Sequence, residues 1–377
     1  MIIKNANIFR EDATFQIGDI IIENDLIVES STENSSIFDA TGLYAIPGLT
    51  DIHFHGCDGY DFCDGTQEAI DKIVKYEASN GVTTICPATM SLPEDTLVDI
   101  CKTISTYDNK VGSILCGINM EGPFLSVEKK GAQNEKFLCK PDIEMFRRLD
   151  EIVGQLIKIA NIAPEEEGAM KFITQLRGNK VIAVAHTVAD YDTAYEAFQK
   201  GANHVTHLYN AMPPFHHRDP GVIGAAFDTP DCTVELICDG IHIHPSVVRA
   251  TIKMFGEDRV IFVSDSMMAT GLADGKYALG GQDVNVVGKK ATLACNGSIA
   301  GSATNLMDCM KNAVINMGIP LETAVKAATM NPAKRIGIYQ KYGSISPGKV
   351  ANIVLLDQKL NIKLVILKGI EYIGNEC

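Results

Sequence analysis

The 377 residues carry 46% hydrophobic and 21% charged side chains, enough apolar mass for a full core, which excludes a disordered chain. The formal net charge of −14 is spread along the sequence and argues against nucleic-acid binding, which needs a basic face. The opening MIIKNANIFREDATFQIGDI has no charged segment leading into an apolar one, and no apolar run nears the ~18 residues of a membrane span, so neither a signal peptide nor a membrane segment is expected.

The elements alternate along most of the chain. Residues 1–46 hold short, turn-bounded strands, IIKNANIF and IGDIIIEN. Apolar, β-branched runs then recur as LTDIHF (49–54), VTTICPA (82–88), GINME (117–121), IKIANIA (157–163), VIAVA (181–185), HVTHLY (204–209), TVELICD (233–239) and VIFVSD (260–265). These are eight strands of the near-continuous kind expected when both sheet faces are covered. Helix-period segments separate them. After Thr66, an N-cap type, Ala69, Ile70, Ile73 and Val74 form one stripe and Gly81 ends it; residues 165–177 place Met170, Ile173 and Leu176 before Gly178; residues 190–200 place Ala194, Ala197 and Phe198 before Gly201.

Eight strand–helix repeats predict an α/β fold with a closed (β/α)8 TIM-type barrel rather than an open sheet, and a glycine-rich dinucleotide loop is missing. Residues 276–298 read as a β-hairpin insertion after the eighth strand, and ANIVLLD and KLVILKG near the end read as further strands. The expected organisation is a β-sandwich built from 1–48 and 344–377 around a barrel of 49–343.

Polar residues gather at the strand ends. His53 and His55 end the first strand, Glu121 closes the third, His186 follows the fifth, His207 lies in the sixth, His242 is just past the seventh and Asp265 closes the eighth. In a barrel those ends converge on one face, where active sites sit. Imidazole and carboxylate groups suit Zn²⁺, Fe²⁺, Mn²⁺ or Co²⁺ with a position left for water. A carboxylate that does not mainly bind metal is then needed to carry the water's proton to the leaving amine. His53-x-His55 puts both rings on one face of a strand. His204, His216, His217 and His244 read as polar groups in or beside loops, and Cys57 and Cys63 as bystanders near the first histidine pair. Arg218, eleven residues beyond His207, carries a guanidinium that matches phosphate or carboxylate bidentately. The eleven cysteines are odd in number and without paired spacing; Cys86, Cys116 and Cys238 sit in apolar runs, so the thiols read as reduced and the compartment as the cytoplasm.

The stretches PGLTDIHFHG (47–56), GVTTICPATMS (81–91), MEGPFL (120–125), KKGAQN (129–134), VAHTVADY (184–191), HLYNAM (207–212), RDPG (218–221), CDGIHIHP (238–245), VSDSM (263–267), IAGS (299–302) and NPAKRIG (331–337) resemble the amidohydrolase superfamily, and within it the N-acetylglucosamine-6-phosphate deacetylase family. The resemblance implies hydrolysis of the acetamide of N-acetyl-D-glucosamine 6-phosphate to glucosamine 6-phosphate and acetate, in amino-sugar catabolism and cell-wall recycling. It implies Glu121, His186 and His207 as ligands of the main metal, with His53 and His55 adding a second ion bridged by Glu121: one or two divalent ions per subunit, zinc first among them. It implies Asp265 as catalytic acid and base, its carboxylate also touching the metal, and His242 as a second catalytic group that binds substrate and helps polarise the acetyl carbonyl. Ala132, Asn210, Ala211, Arg218, Asp239, Gly240, Ile241, His242, Ile299, Ala300 and Gly301 match substrate-binding positions. Arg218 and the DGIH stretch match an interface, so a homodimer with shared active sites is implied. Gln133 stands where many relatives have His, at a position associated with holding the sugar hydroxyls.

Two rival readings are weaker. Dihydroorotase-like and urease-like hydrolases bridge two metals with a modified Lys at the end of strand four, but here that strand ends IANIAPE. A catalytically dead barrel acting as a binding protein would be expected to lack Asp265 or a ligand, and none is missing. Another N-acetylated hexosamine phosphate remains the nearest alternative substrate.

Overall fold

The computed structural model of the protein describes residues 1–30 and 36–372. Its centre is a ring of parallel strands: β1 (Leu49–Asp51), β2 (Val82–Ile85), β3 (Ile118–Met120), β4 (Ile157–Ile162), β5 (Val181–Val184), β6 (His204–Val205), β7 (Thr233–Ile237) and β8 (Val260–Val263). A short continuation at Ala88–Thr89 pairs with β3, and from there the ladder runs unbroken through β8. Pro87 interrupts β2, but Cys86 and Ala88 still donate to Asp51 and Phe54 carbonyls, so β2 stays attached to β1. Beyond the regular strands, the Asp265 amide donates to the His53 carbonyl and the His55 amide to the Ser266 carbonyl, which ties β8 back to β1. The strands therefore close a TIM-type barrel, as expected.

Inward-facing Ile52, Cys86, Ile159, Ala183, Ile237 and Ile261 form one buried cluster filling it. Helices cover the outside for the reasons legible in their sequences. In α1 (Gln67–Ser79) the Thr66 hydroxyl accepts from the Ala69 amide, Ala69, Ile70, Ile73, Val74 and Ala78 are buried, and Gly81 leaves with φ +77°. The helix before β5 is shorter than expected, Ala169–Leu176, because Glu165 is taken up by bonds to the Thr187 hydroxyl and the Val188 amide.

Strands from both chain ends meet in one eight-stranded mixed sheet with its own core of Ile3, Ile8, Ile20, Ile22, Ala45, Ile353, Leu355 and Ile366. The expected terminal unit reaches residue 377; 373–377, like 31–35, lie outside the described residues. The insertion after β8 is a three-stranded antiparallel meander, Gly275–Leu279, Gln282–Val287 and Lys290–Leu293, rather than a hairpin. The physical reason is a second tight turn at Gly288, in addition to the two-residue Gly280-Gly281 loop, whose positive φ values of 54° and 76° suit a primed hairpin turn. No helix among the described residues is long and apolar enough to cross a membrane.

Candidate active site

Four strand ends deliver their polar groups with one spacing. His53, His186, His207 and Asp265 each stand two residues past the last residue of β1, β5, β6 and β8, and Glu121 stands one past β3. β6 is shorter than its apolar run because the chain turns at once, with positive φ at His207 (28°), Tyr209 (79°) and Ala211 (51°). His186 (42°) and Asp265 (48°) adopt the same rare backbone region.

The side chains converge in two buried groups: Glu121, His186 and His207, and His53, His55 and Asp265. Glu121 Oε1 lies 3.2 Å from His186 Nε2, 3.1 Å from His207 Nε2 and 3.4 Å from His53 Nε2. Its Oε2 lies 3.3 Å from His55 Nε2. Asp265 Oδ1 is 3.3 Å from His55 Nε2 and 3.7 Å from His53 Nε2. One carboxylate thus turns an oxygen toward each group. Two ligands ~2.0–2.1 Å from a tetrahedral ion lie roughly 3.3 Å apart, the spacing found here. His53 Nε2 has no hydrogen-bond partner among the described residues although it is fully buried. These residues fit a pair of divalent ions joined by Glu121.

The electrostatics agree. Burial opposes ionisation of Glu121, yet the imidazoles of His53, His186 and His207 hold its carboxyl well below the usual range. Burial likewise opposes the charge of Asp265, and the hydrogen bond from His55 with the nearby His53 brings it below its ordinary value.

The amidohydrolase family model matches residues 44–371. The chain belongs to the amidohydrolase family. It is 33% identical to the N-acetylglucosamine-6-phosphate deacetylase of Bacillus subtilis, over 100% of this chain and 98% of that one. It is 30% identical to the N-acetylgalactosamine-6-phosphate deacetylase of Escherichia coli O157:H7, over 86% of each. Among solved structures, an aspartate-to-alanine variant of the Mycobacterium smegmatis N-acetyl-D-glucosamine-6-phosphate deacetylase, in complex with N-acetyl-D-glucosamine-6-phosphate, superposes with a TM-score of 0.92 at 30% identity, covering 98% of both chains.

In this amidohydrolase the rings of the candidate ligands are held from behind. His186 Nδ1 is 2.8 Å from the Lys129 carbonyl, and His53 Nδ1 is 2.8 Å from Glu235 Oε2. Donation from Nδ1 in each case leaves the Nε2 lone pair for a metal. Gln133 is buried; its amide nitrogen donates to Glu121 Oε2 at 2.8 Å, and its oxygen accepts from the Ser91 amide at 2.7 Å. The position associated with sugar hydroxyls is thus committed to the Glu121 carboxylate. His242 Nδ1 is 2.7 Å from Asp239 Oδ2, while Asp239 Oδ1 accepts from the Ile241 and His242 amides. Burial disfavours the charged forms, but this pairing raises His242 above and lowers Asp239 below their ordinary values.

A cavity of about 280 Å³ opens over these groups, with His55, Glu121, His186, His207, His242 and Asp265 in its lining. Of the sequence-predicted substrate positions, Ala132, Asn210, Ala211, Ile299 and Gly301 also line it. Asp239, Gly240, Ile241 and Ala300 do not; Asp239 acts behind His242 and Ala300 is fully buried. Arg218 is exposed in a separate depression with Val188, Asp190 and Asp219, its Nη1 2.8 Å from His217 Nε2. A larger depression of about 810 Å³ beside Lys136–Ile143 contains none of these histidines, so size does not mark the site.

Two residues escaped the sequence reading. Glu235, fully buried in β7, was visible only as a charged residue in an apolar strand, a combination that demands a partner. His204 is not a loop group: it is fully buried in β6, bonded to Glu235 and to the Thr233 hydroxyl, because the barrel interior rather than solvent receives that face. Cys57 turns its thiol to the Ile73 carbonyl and Cys63 accepts from the Met90 amide; neither joins the ligand groups.

Proposed function

We propose that this cavity hydrolyses the acetamide of N-acetyl-D-glucosamine 6-phosphate, giving D-glucosamine 6-phosphate and acetate. The observation that carries the reading is Glu121, with one oxygen turned to each of two imidazole groups beneath the cavity. Full-length identity to a deacetylase of that name supports the substrate. Glu121, His186 and His207 would hold the main ion, and His53 and His55 with Asp265 a second, zinc being the first choice. Such an ion supplies Lewis acidity at the acetyl carbonyl and lowers the pKa of water from ~15.7 towards ~7.

The remaining steps fall to the chain's own groups. Asp265 accepts a proton from the attacking water and returns it to the amine nitrogen as the C–N bond breaks, so that acetate leaves with the water's oxygen. His242, fixed by Asp239, directs its Nε2 toward the substrate carbonyl. Ala132, Asn210, Ala211, Ile299 and Gly301 shape the sugar subsite. Arg218 stands outside its own chain's cavity, which favours a homodimer in which it meets the 6-phosphate in the partner's site. The described cysteines are all free, in keeping with a reducing cytoplasm. The division into 1–48 with 344–377 and a barrel of 49–343 belongs to the same reading.

Acetate release from N-acetylglucosamine, with and without the 6-phosphate, measured together with bound metal, tests this. Turnover should require metal, and kcat/KM should be far higher with the 6-phosphate than without it. No acetate from either sugar with fully loaded protein would overturn it. The N-acetylgalactosamine 6-phosphate epimer belongs in the same assay because one relative bears that name; a higher kcat/KM there reassigns the substrate.

A further inference from the structure

Glu235 has no part in the catalytic scheme, yet its fully buried carboxylate bonds to His53, His204 and the His207 amide. Its strand position faces the barrel interior, beside Ile237 in the buried cluster. Oε2 lies 2.8 Å from His53 Nδ1 and accepts from the His207 amide at 2.9 Å. Oε1 lies 3.0 Å from His204 Nε2, and His204 Nδ1 is 2.6 Å from the Thr233 hydroxyl. One oxygen therefore grips a side chain of one ligand group and the backbone of the other.

The two grips differ in consequence. His53 meets Glu235 through its ring, so the carboxylate fixes the tautomer, aims the bare Nε2 at Glu121 and Asp265, and makes the ring a stronger donor. His207 meets it only through a backbone amide, whose bond sets position without touching ring electronics. We propose that Glu235, braced by His204 and Thr233, is a positioning residue that acts through His53 to set the affinity of the second divalent ion. The inference rests on the two-ion reading of the site.

Glu235→Gln is the informative variant. Its amide oxygen can keep the bonds from His53 and the His207 backbone, and its NH2 can donate to the His204 ring, which then donates to Thr233. The fold is retained and the charge removed. Zn²⁺ titrated against a chromophoric chelator should show the weaker site losing about 10-fold in affinity, and about 100-fold in Glu235→Leu, within the range for lost carboxylate–histidine support. The tighter site should move less than about threefold in Glu235→Gln. In a His53→Ala background, Glu235→Gln should leave the remaining site's affinity unchanged. Unchanged affinity at both sites, or equal loss at both, overturns the positioning role, as does an undiminished effect without His53. Wild-type protein saturating at one Zn²⁺ per chain overturns the two-ion reading itself, and the proposal falls with it.

Discussion

Replacing Gln133 with Leu tests whether that side chain serves the metal ligand or the sugar. Leu preserves bulk and removes both amide bonds. The bond from Gln133 to Glu121 Oε2, 2.8 Å long and buried, reaches a charged acceptor, and such bonds contribute ~1.5–3 kcal/mol. That range corresponds to roughly 10- to 150-fold in an equilibrium constant, an upper bound on the effect because the bond exists before the ion arrives. Loss of metal-ligand support elsewhere costs ~10–100-fold, so a 10- to 50-fold rise in the Zn²⁺ dissociation constant is expected. The Ser91 amide, now without its acceptor, adds ~1–3 kcal/mol of destabilisation. Chelator competition gives the first quantity and denaturation of the metal-free protein the second. With saturating metal, KM should stay within about twofold, since both polar ends of Gln133 are already engaged within the protein. A raised KM with unchanged metal affinity would refute this and return Gln133 to the sugar.

Three further outcomes are expected. His186→Ala should lower bound metal and turnover by orders of magnitude while circular dichroism stays native; full metal retention with normal activity would remove His186 from the ligand set. Asp265→Asn should keep sugar phosphate and the ion of the Glu121, His186 and His207 group bound but turn over at least ~10²-fold more slowly, the usual scale of a lost proton-transfer group, and near-normal rates would pass the role to His242. Arg218→Ala should reduce kcat/KM ~10²-fold for the phosphorylated sugar and little for the unphosphorylated one, with Lys rescuing partly. Mixed with Asp265→Asn chains it should recover activity in verified heterodimers; equal losses for both sugars would end the phosphate role.

The barrel was readable because its signal is periodic and local: β-branched runs such as VIAVA and VIFVSD, separated by capped amphipathic segments, require no knowledge of distant contacts. The convergence of the candidate ligands was readable for a related reason, since parallel strands bring every carboxyl end to one face whatever the loops do. What sequence could not supply was partner choice. Gln133 and Glu121 lie twelve residues apart across a loop, and His53 and Glu235 lie 182 apart, on strands separated in the ring by β8. Nothing in the run TVELICD tells whether Glu235 faces a helix or the barrel interior, because both faces of such a strand are buried. The insertion after β8, expected as a hairpin over 276–298, differs on a similar ground: the positive φ of Gly288 makes a second turn.

The ligand backbones show how such a site is kept. His186, His207 and Asp265 occupy positive φ, a region that costs a non-glycine residue of order 1–3 kcal/mol. That strain persists only where the surroundings leave no alternative, and here each residue is bonded on both sides of its turn. The His186 carbonyl accepts from the Ser126 amide, and the next amide, of Thr187, donates to the Ala211 carbonyl. His207 is held by Glu235 at its amide and by Asn210 at its carbonyl. Asp265 donates to the His53 carbonyl and accepts from the Ser302 amide at 2.7 Å. Each strained residue thus takes its geometry from neighbouring backbone or, at the His207 amide, from the Glu235 carboxylate. Because those neighbours include His53 and the Ala211 wall, displacing one ligand backbone shifts another ligand or the substrate wall with it. The geometry of the two side-chain groups and the shape of the cavity are therefore coupled through the backbone. A substitution that relaxes one turn should move metal affinity and KM together, whereas one confined to a ring, such as Glu235→Gln, should move only the first.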